Sequence, residues 1–352
     1  MNRQEKQRFG ALDALRGLAA LTVAVFHYFN EWAGYLMVDF FFVLSGFILT
    51  HNYLYGESRV GFGSFIEHRI ARLYPLHVFT LVTFTAAFFA LHGNLPAYPD
   101  GTVFTLLQQL TLTNNVGLSP SGATWNFVAW SVSVEFWVNV AFILLVTRST
   151  RSSVLILVSA SCFLLLFEHE RMLDTFRFNY FGFANSGLIR GMASFLLGVL
   201  AYRLYLARRD RPRTKTLDRW LEPVAIGGIL FVLFARESKA SALDFLAPLA
   251  FMLTVVVFAN ESGWLSSRLR SISHLGSISY SVYMNQTTVL ELVSLFGKHR
   301  WPDATDAQAF PLYLGALLAY SQATYALVEQ PSRKWLRDSL PRWAGRLGRR
   351  AA

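Results

Sequence analysis

The side chains with chemical reach in this sequence are ionisable groups set inside apolar stretches. The segment LDALRGLAALTVAVFHY places Arg16 and His27 eleven residues apart. On an α-helix that spacing is about 1100°, close to three full turns, so both side chains share one face, roughly 16 Å apart along the axis. A guanidinium holds an anion, and a neutral imidazole can take a proton from a hydroxyl. The plainer reading is a snorkelling arginine and a hydrogen-bonded packing histidine. Asp39, in MVDFFFVLSGFILT, is a carboxylate that needs a partner, and His27 lies one short connection away. That pairing would fix the imidazole tautomer and raise its basicity. Ser45 and Gly46 follow on the same stretch, a pair that suits close helix packing better than nucleophilic attack.

Two further sites follow the same logic. In HRIARLYPLH, Arg69 and Arg72 stand three apart and share a helix face. Two guanidinium forks at a membrane surface match phosphate bidentately, although ordinary positive charge facing lipid would explain them too. In TWNFVAWSVSVEFWVN, Ser131 and Glu135 are four apart, and Glu135 interrupts an apolar helix. Its carboxylate can orient a catalytic group, bind a substrate hydroxyl or pair with a buried cation such as Arg190. Asn285, Gln286 and Thr287 form a glycosylation sequon only formally, because their surroundings are apolar. The single cysteine, Cys162, excludes an intramolecular disulfide and a cysteine-based zinc site. The histidines show no pairing that makes a metal site, so no metal is expected.

The elements that must position these groups are membrane helices. The chain has 352 residues, of which 53% are hydrophobic and 15% charged. Its mean hydropathy is +0.36. A soluble domain carries about 25% charged residues, so this chain has too few to coat a water-facing surface. Crossing a hydrocarbon core of about 30 Å takes about 20 apolar residues. Ten stretches fit: 11–31, 35–54, 73–92, 124–147, 152–168, 187–206, 220–236, 243–260, 275–296 and 309–329. The stretch 103–112 is too short to cross and reads as interfacial or re-entrant. The fold class expected is all-α, a polytopic bundle forming one integral membrane domain over 1–352, with a basic cytoplasmic tail at 332–352. The first apolar stretch is expected to be kept as a span, with no cleavage pattern after it. No connection is long enough to fold into a separate soluble enzyme domain, so any chemistry is expected to come from helices and short loops.

The net charge of +10 tests this topology. With the N-terminus in the cytoplasm, 24 of the 32 lysines and arginines fall on the cytoplasmic side and 6 on the other, leaving Arg16 and Arg190 within helices. Such a bias is the signature of short cytoplasmic loops, and it places both termini inside. The run from Arg208 to Lys215 and the Arg-rich end therefore face anionic lipid headgroups rather than nucleic acid.

Six segments in order resemble the acyltransferase 3 family of integral membrane acyltransferases over essentially the whole chain. They are LDALRGLAALTVAVFHY, VDFFFVLSGFILT, RIARLYPL, WSVSVEF, LGSISYSVYM and VEQPSRKWL. The resemblance implies transfer of an acyl group, commonly acetyl, from cytoplasmic acyl-CoA to a hydroxyl of a carbohydrate or glycoconjugate. It maps activity onto Arg16 and His27, and acyl-donor handling onto Arg69 and Arg72. Ser45, Gly46 and Glu135 fall on its remaining motifs. Relatives often carry a histidine where Gln286 stands, so that histidine's role is not expected here. Acyl-CoA is a co-substrate in this scheme, with no bound cofactor, and the location implied is the cytoplasmic (inner) membrane.

These readings converge on one scheme. The CoA phosphates dock at Arg69 and Arg72, and the pantetheine arm runs along the first helix past Arg16. His27 then takes the acceptor proton, and Asp39 or Glu135 steadies the imidazolium. The competing class is a proton-coupled secondary transporter, which buried Arg, His and Glu would suit. Against it stands the lack of two-half symmetry or matched Gly/Pro-broken helices. A lipid-binding scaffold gives no reason for Arg16 and His27 on one face.

Overall fold

Apolar stretches of helical length, punctuated by Gly, Asn and Pro, become helices nearly throughout. The structure is a computed structural model that describes residues 8–56, 60–118, 123–209, 215–235, 241–300 and 305–348. In chain order the helices are α1 (Gly10–Phe29), α2 (Met37–Leu49), α3 (Phe62–His92), α4 (Thr102–Leu110), α5 (Trp130–Leu145) and α6 (Ser152–His169). A two-residue antiparallel pair follows, β1 (Asn179–Tyr180) with β2 (Ala184–Asn185). Then come α7 (Ser186–Arg209), α8 (Lys215–Phe234), α9 (Ala247–Phe258), α10 (Trp264–Arg270), α11 (His274–Arg300), α12 (Asp306–Thr324) and α13 (Gln330–Gly348).

Among the described residues, six helices are long and apolar enough to cross a membrane: Gly10–Phe29, Gly34–Leu54, Phe62–His92, Phe127–Leu145, Ser152–His169 and Ser186–Arg209. These correspond to the first six predicted spans. The seventh and eighth are apolar but shorter, at Trp220–Phe234 and Ala242–Phe258. The ninth and tenth are helices, α11 and α12, without reaching that apolar length. Stretch 103–112 forms the nine-residue α4, too short to cross, as expected. The start predicted at 124 is early by several residues, because a 3-10 turn at Phe127–Ala129 precedes α5. The predicted basic tail is helical as far as Gly348, and Arg349 and Arg350 lie outside the described residues. So does 210–214 of the earlier basic run.

Local chemistry sets the helix ends. Asn30 closes α1 in the left-handed region at φ 57°, its N–H returning to the Phe26 carbonyl at 2.7 Å. Thr305 and Gln308 form a capping box that starts α12. Helix α3 has 31 residues and runs about 46 Å, well beyond a 30 Å core. Its first turns, 62–72, are therefore the surplus, and they carry Arg69 and Arg72. Helix α6 exposes Val154, Ile156, Leu157 and Leu164. Such a face is costly in water and ordinary in lipid.

The chain divides into two compact units. The first comprises 1–55, 151–174 and 192–279. Within it α2 packs on α9 and on α1, α9 on α8, and α1 on α10. Helices α2 and α7 cross at Gly46 and Gly198. A Cβ on Gly46 would collide with the Phe195 carbonyl, and one on Gly198 with the Val43 carbonyl. Close backbone approach through small residues is how membrane helices gain packing where no hydrophobic effect drives them together. Around it, Phe47 meets Phe9, Tyr202 and Tyr205 edge-on.

The second unit comprises 56–150, 175–191 and 280–352. Helix α13 packs along α3, and α3 also meets α5. A π-helical turn at Tyr325–Glu329 joins α12 to α13. The short β pair ties its loop down at Gly117, where a Cβ would strike the Phe183 carbonyl.

Candidate active site

The ionisable residues picked out by the sequence are divided between the two units. In the first unit, Arg16 is held on three sides. Its Nε donates to Ser279 Oγ at 3.1 Å and its Nη2 to the Gly276 carbonyl at 2.6 Å. The same Nη2 stands 3.0 Å from Asp13 Oδ1, one turn earlier on α1. Asp13 also receives Arg8 Nε at 3.1 Å. The approach is close because α1 meets the first turn of α11 at two glycines. A Cβ on Gly17 would strike Leu275, and one on Gly276 would strike the Asp13 backbone. Arg16 is thus oriented before any ligand arrives, and Asp13 and Ser279 are supports that sequence reading missed.

His27 lies in the last turn of α1, half-buried, with its ring 5.1 Å from that of Phe26. The carbonyl end of a helix carries partial negative charge, which favours positive charge on a ring placed there. Asp39 is fully buried in the first turn of α2 and accepts a 2.7 Å hydrogen bond from Ser194 Oγ on α7. Ser194, 155 positions away, is a partner with no local signal in the sequence. Ser45 is half-buried beside the α2–α7 crossing.

The second unit holds the remaining predicted residues. Arg69 lies 5.9 Å over the Phe65 ring, and Arg72 follows on the next turn of α3. Next to Arg72, the Leu73 carbonyl accepts from Tyr280 Oη at 2.7 Å, anchoring α11 to α3. On α5, Ser131 Oγ and Tyr283 Oη are 2.7 Å apart. Glu135, one turn along from Ser131, acts electrostatically on both Tyr280 and Tyr283. The predicted neighbours Ser131 and Glu135 therefore face the tyrosines of LGSISYSVYM. Glu329 is buried and accepts from Ser281 Oγ at 2.7 Å.

Arg190 is fully buried, with its guanidinium 5.5 Å over the Trp130 ring. Trp130 stacks on Phe176 at 4.8 Å, and Arg177 covers Phe176 at 5.0 Å. Two cations thus sandwich two stacked rings. Gln286 is buried, and its Nε2 donates to the Tyr283 carbonyl of its own helix at 2.7 Å. His77 is buried against the Gln109 carbonyl at 2.8 Å, a packing role. In the segment between α3 and α5, the Trp125 N–H, at φ 54°, donates to Tyr98 Oη at 2.5 Å. Burial pushes the Tyr98 phenol above its ordinary pKa, and the bond from Trp125 works the other way.

Comparison with known proteins covers most of this chain. The family model of an acyltransferase domain matches residues 9–326. The chain is 34% identical over 194 residues to protein 2 in the picA locus of Rhizobium radiobacter, covering 47% of this chain and 97% of that protein. It is 38% identical over 93 residues to the putative peptidoglycan O-acetyltransferase YrhL of Bacillus subtilis, or 24% of this chain and 15% of that protein. It is 33% identical over 85 residues to the O-acetyltransferase OatA of Staphylococcus aureus, or 22% of this chain and 14% of that protein. The alignments therefore reach only about a seventh of the two named O-acetyltransferases. No solved structure matches.

Proposed function

The chain belongs to the acyltransferase 3 family of membrane acyltransferases, and from that premise we propose that it moves an acetyl group from cytoplasmic acetyl-CoA to a hydroxyl of a carbohydrate or glycoconjugate. The observation that carries this reading is the family match itself. It runs from residue 9 to residue 326 and contains Arg16, His27, Asp39, Ser45, Arg69, Arg72 and Glu135. Two relatives named as O-acetyltransferases support acetyl as the group and a hydroxyl oxygen as its destination.

In the proposed reaction the acceptor hydroxyl oxygen attacks the thioester carbonyl carbon while His27 takes the hydroxyl proton. The new C–O bond forms, the C–S bond breaks, and the departing thiolate recovers the proton from His27. Placement in the last turn of α1 suits His27 to carry that charge in transit. Asp39, in the same unit as His27, steadies the imidazolium. Arg16, oriented by Asp13, Gly276 and Ser279, is suited to hold the donor near its reacting end. Arg69 and Arg72 take the CoA phosphates, which guanidinium forks match bidentately, and Ser45 contributes to donor binding. Transfer is direct, because neither Ser45 nor Cys162 is set up as a nucleophile.

Ten spans with both termini cytoplasmic, in an inner membrane with anionic headgroups, complete the reading. The bias of lysine and arginine supports it. The test is transfer of radiolabel from acetyl-CoA to surface carbohydrate in membranes with and without the protein. Label incorporated only when the protein is present supports the proposal. Equal incorporation in both overturns it.

A further inference from the structure

The family model ends at residue 326, and α13, which begins within the VEQPSRKWL segment, carries Arg333 and Arg337 beyond it. Three features of the second unit bear on their placement. The π-helical turn at Tyr325–Glu329 continues α12 directly into α13, and π-turns of this kind concentrate at functional positions. Helix α13 then packs along α3, which that turn also meets. Arg333 and Arg337 stand four apart on α13, as Arg69 and Arg72 stand three apart on α3, so each pair occupies one helix face.

The electrostatics link the two pairs. Although solvent reaches the Arg333 side chain, surrounding protein is the first cause that lowers its pKa. The like charge of Arg72 lowers it next, Glu329 opposes, and Arg69 and Arg337 lower it further. Helix α13 thus lies along α3, and the charges of Arg72, Arg69 and Arg337, opposed by Glu329, all bear on Arg333. Glu329 also accepts from Ser281 Oγ at 2.7 Å. Like charges held together cost free energy, and a polyanion bound among them reverses the sign of that cost.

We propose that Arg333 and Arg337 on α13 complete, with Arg69 and Arg72 on α3, a four-arginine site for the phosphate groups of the acyl donor. This rests on the proposed function and adds two binding residues to it. The chemistry is phosphate recognition. A nucleotide-type donor carries several phosphates on one molecule and so engages several forks at once, whereas a phosphatidylglycerol headgroup offers a single phosphate. Lys334, exposed on the same helix, is not among the groups acting on Arg333 and serves as the control.

The experiment is calorimetric binding of CoA and of phosphate-free pantetheine to the full-length protein in detergent, alongside capture by vesicles rich in phosphatidylglycerol. In Arg333→Gln/Arg337→Gln, CoA binding is expected to weaken at least about tenfold, by loss of charge-assisted contacts. Pantetheine binding and the Lys334→Gln variant stay unchanged. Arg333→Lys/Arg337→Lys, which keeps charge without the fork, falls in between. Single variants at each arginine, with unfolding temperatures matching wild type, guard against misfolding. Unchanged CoA affinity in correctly folded double variant overturns the proposal. So does loss of vesicle capture with CoA binding intact, which assigns the cluster to lipid. Normal CoA binding by wild type without acetyl transfer to any acceptor would instead sink the proposed function while leaving this site standing.

Discussion

The Arg16 guanidinium donates to the Gly276 carbonyl at 2.6 Å, tying the middle of the first helix to the first turn of α11. Arginine, with donors in a rigid fork, can hold that carbonyl, Ser279 and Asp13 together; a lysine ammonium cannot reproduce the set. Arg16→Lys is expected to fold and to lose at least about tenfold in acetyl transfer, because its charge is no longer fixed in direction. Arg16→Ala should in addition lower stability by about 1–3 kcal/mol, as for hydrogen bonds to charged groups. Thermal unfolding in detergent beside a transfer assay separates the two effects. Wild-type activity in Arg16→Lys would show that orientation is irrelevant.

The Gly46–Gly198 crossing predicts a sharp contrast with its neighbour Ser45. Gly46→Ala or Gly198→Ala drives a methyl into a backbone carbonyl and should cost about 2 kcal/mol or more, seen as lost yield and lower unfolding temperature. Ser45→Ala, half-buried beside the crossing, should fold normally and raise KM for acetyl-CoA. A Gly46→Ala protein as stable as wild type would refute the packing argument.

How far the sequence foretold these features depends on the range of the interaction. The first six spans were legible because each is set by its own apolar length, and so was the short α4. The Arg16–His27 face follows from helical period alone. Partners fixed by tertiary packing were not legible. Ser194 beside Asp39 and Ser279 beside Arg16 are small polar residues in apolar helices, 155 and 263 positions away. The continuation of α12 through a π-turn, which lays the tail along α3, likewise has no short-range signature. Arg333, in the VEQPSRKWL segment, and Arg337, in the basic tail, accordingly show nothing in sequence that places them along α3.

Asp39 gives a prediction about that missed partner. Ser194→Ala removes the hydrogen bond to a fully buried carboxylate and should cost about 1–3 kcal/mol. Ser194→Thr, which keeps a hydroxyl, should recover part of it. Chemical unfolding of the two variants checks the order, and equal stabilities would show that the bond contributes nothing.

The segment between α3 and α5 carries a pH signature. Tyr98 has a folded pKa above the unfolded value of 10.0, chiefly through burial. Its contribution is therefore complete below about pH 10 and is lost as pH rises through the folded value. Tyr98→Phe should cost about 1 kcal/mol at neutral pH by orphaning the Trp125 N–H, and the gap to wild type should narrow above pH 10. Unfolding temperatures across pH 8–11 test it; a gap that widens with pH contradicts the assignment.

Arg69 and Arg72 should act on the donor rather than on the chemistry. Replacing either with Gln is expected to raise KM for acetyl-CoA by about tenfold or more, with kcat much less affected. A donor titration that leaves KM unchanged while kcat falls would remove them from phosphate binding.

The central claim is that His27 accepts the acceptor proton. Its most direct test is the rate of radiolabel transfer from acetyl-CoA by membranes carrying His27→Ala or His27→Gln, normalised to the amount of protein in the membrane. The account predicts loss of at least about a hundredfold in both, the scale of a positioned general base, with membrane levels and CoA binding retained. Near-normal transfer by either variant would contradict it.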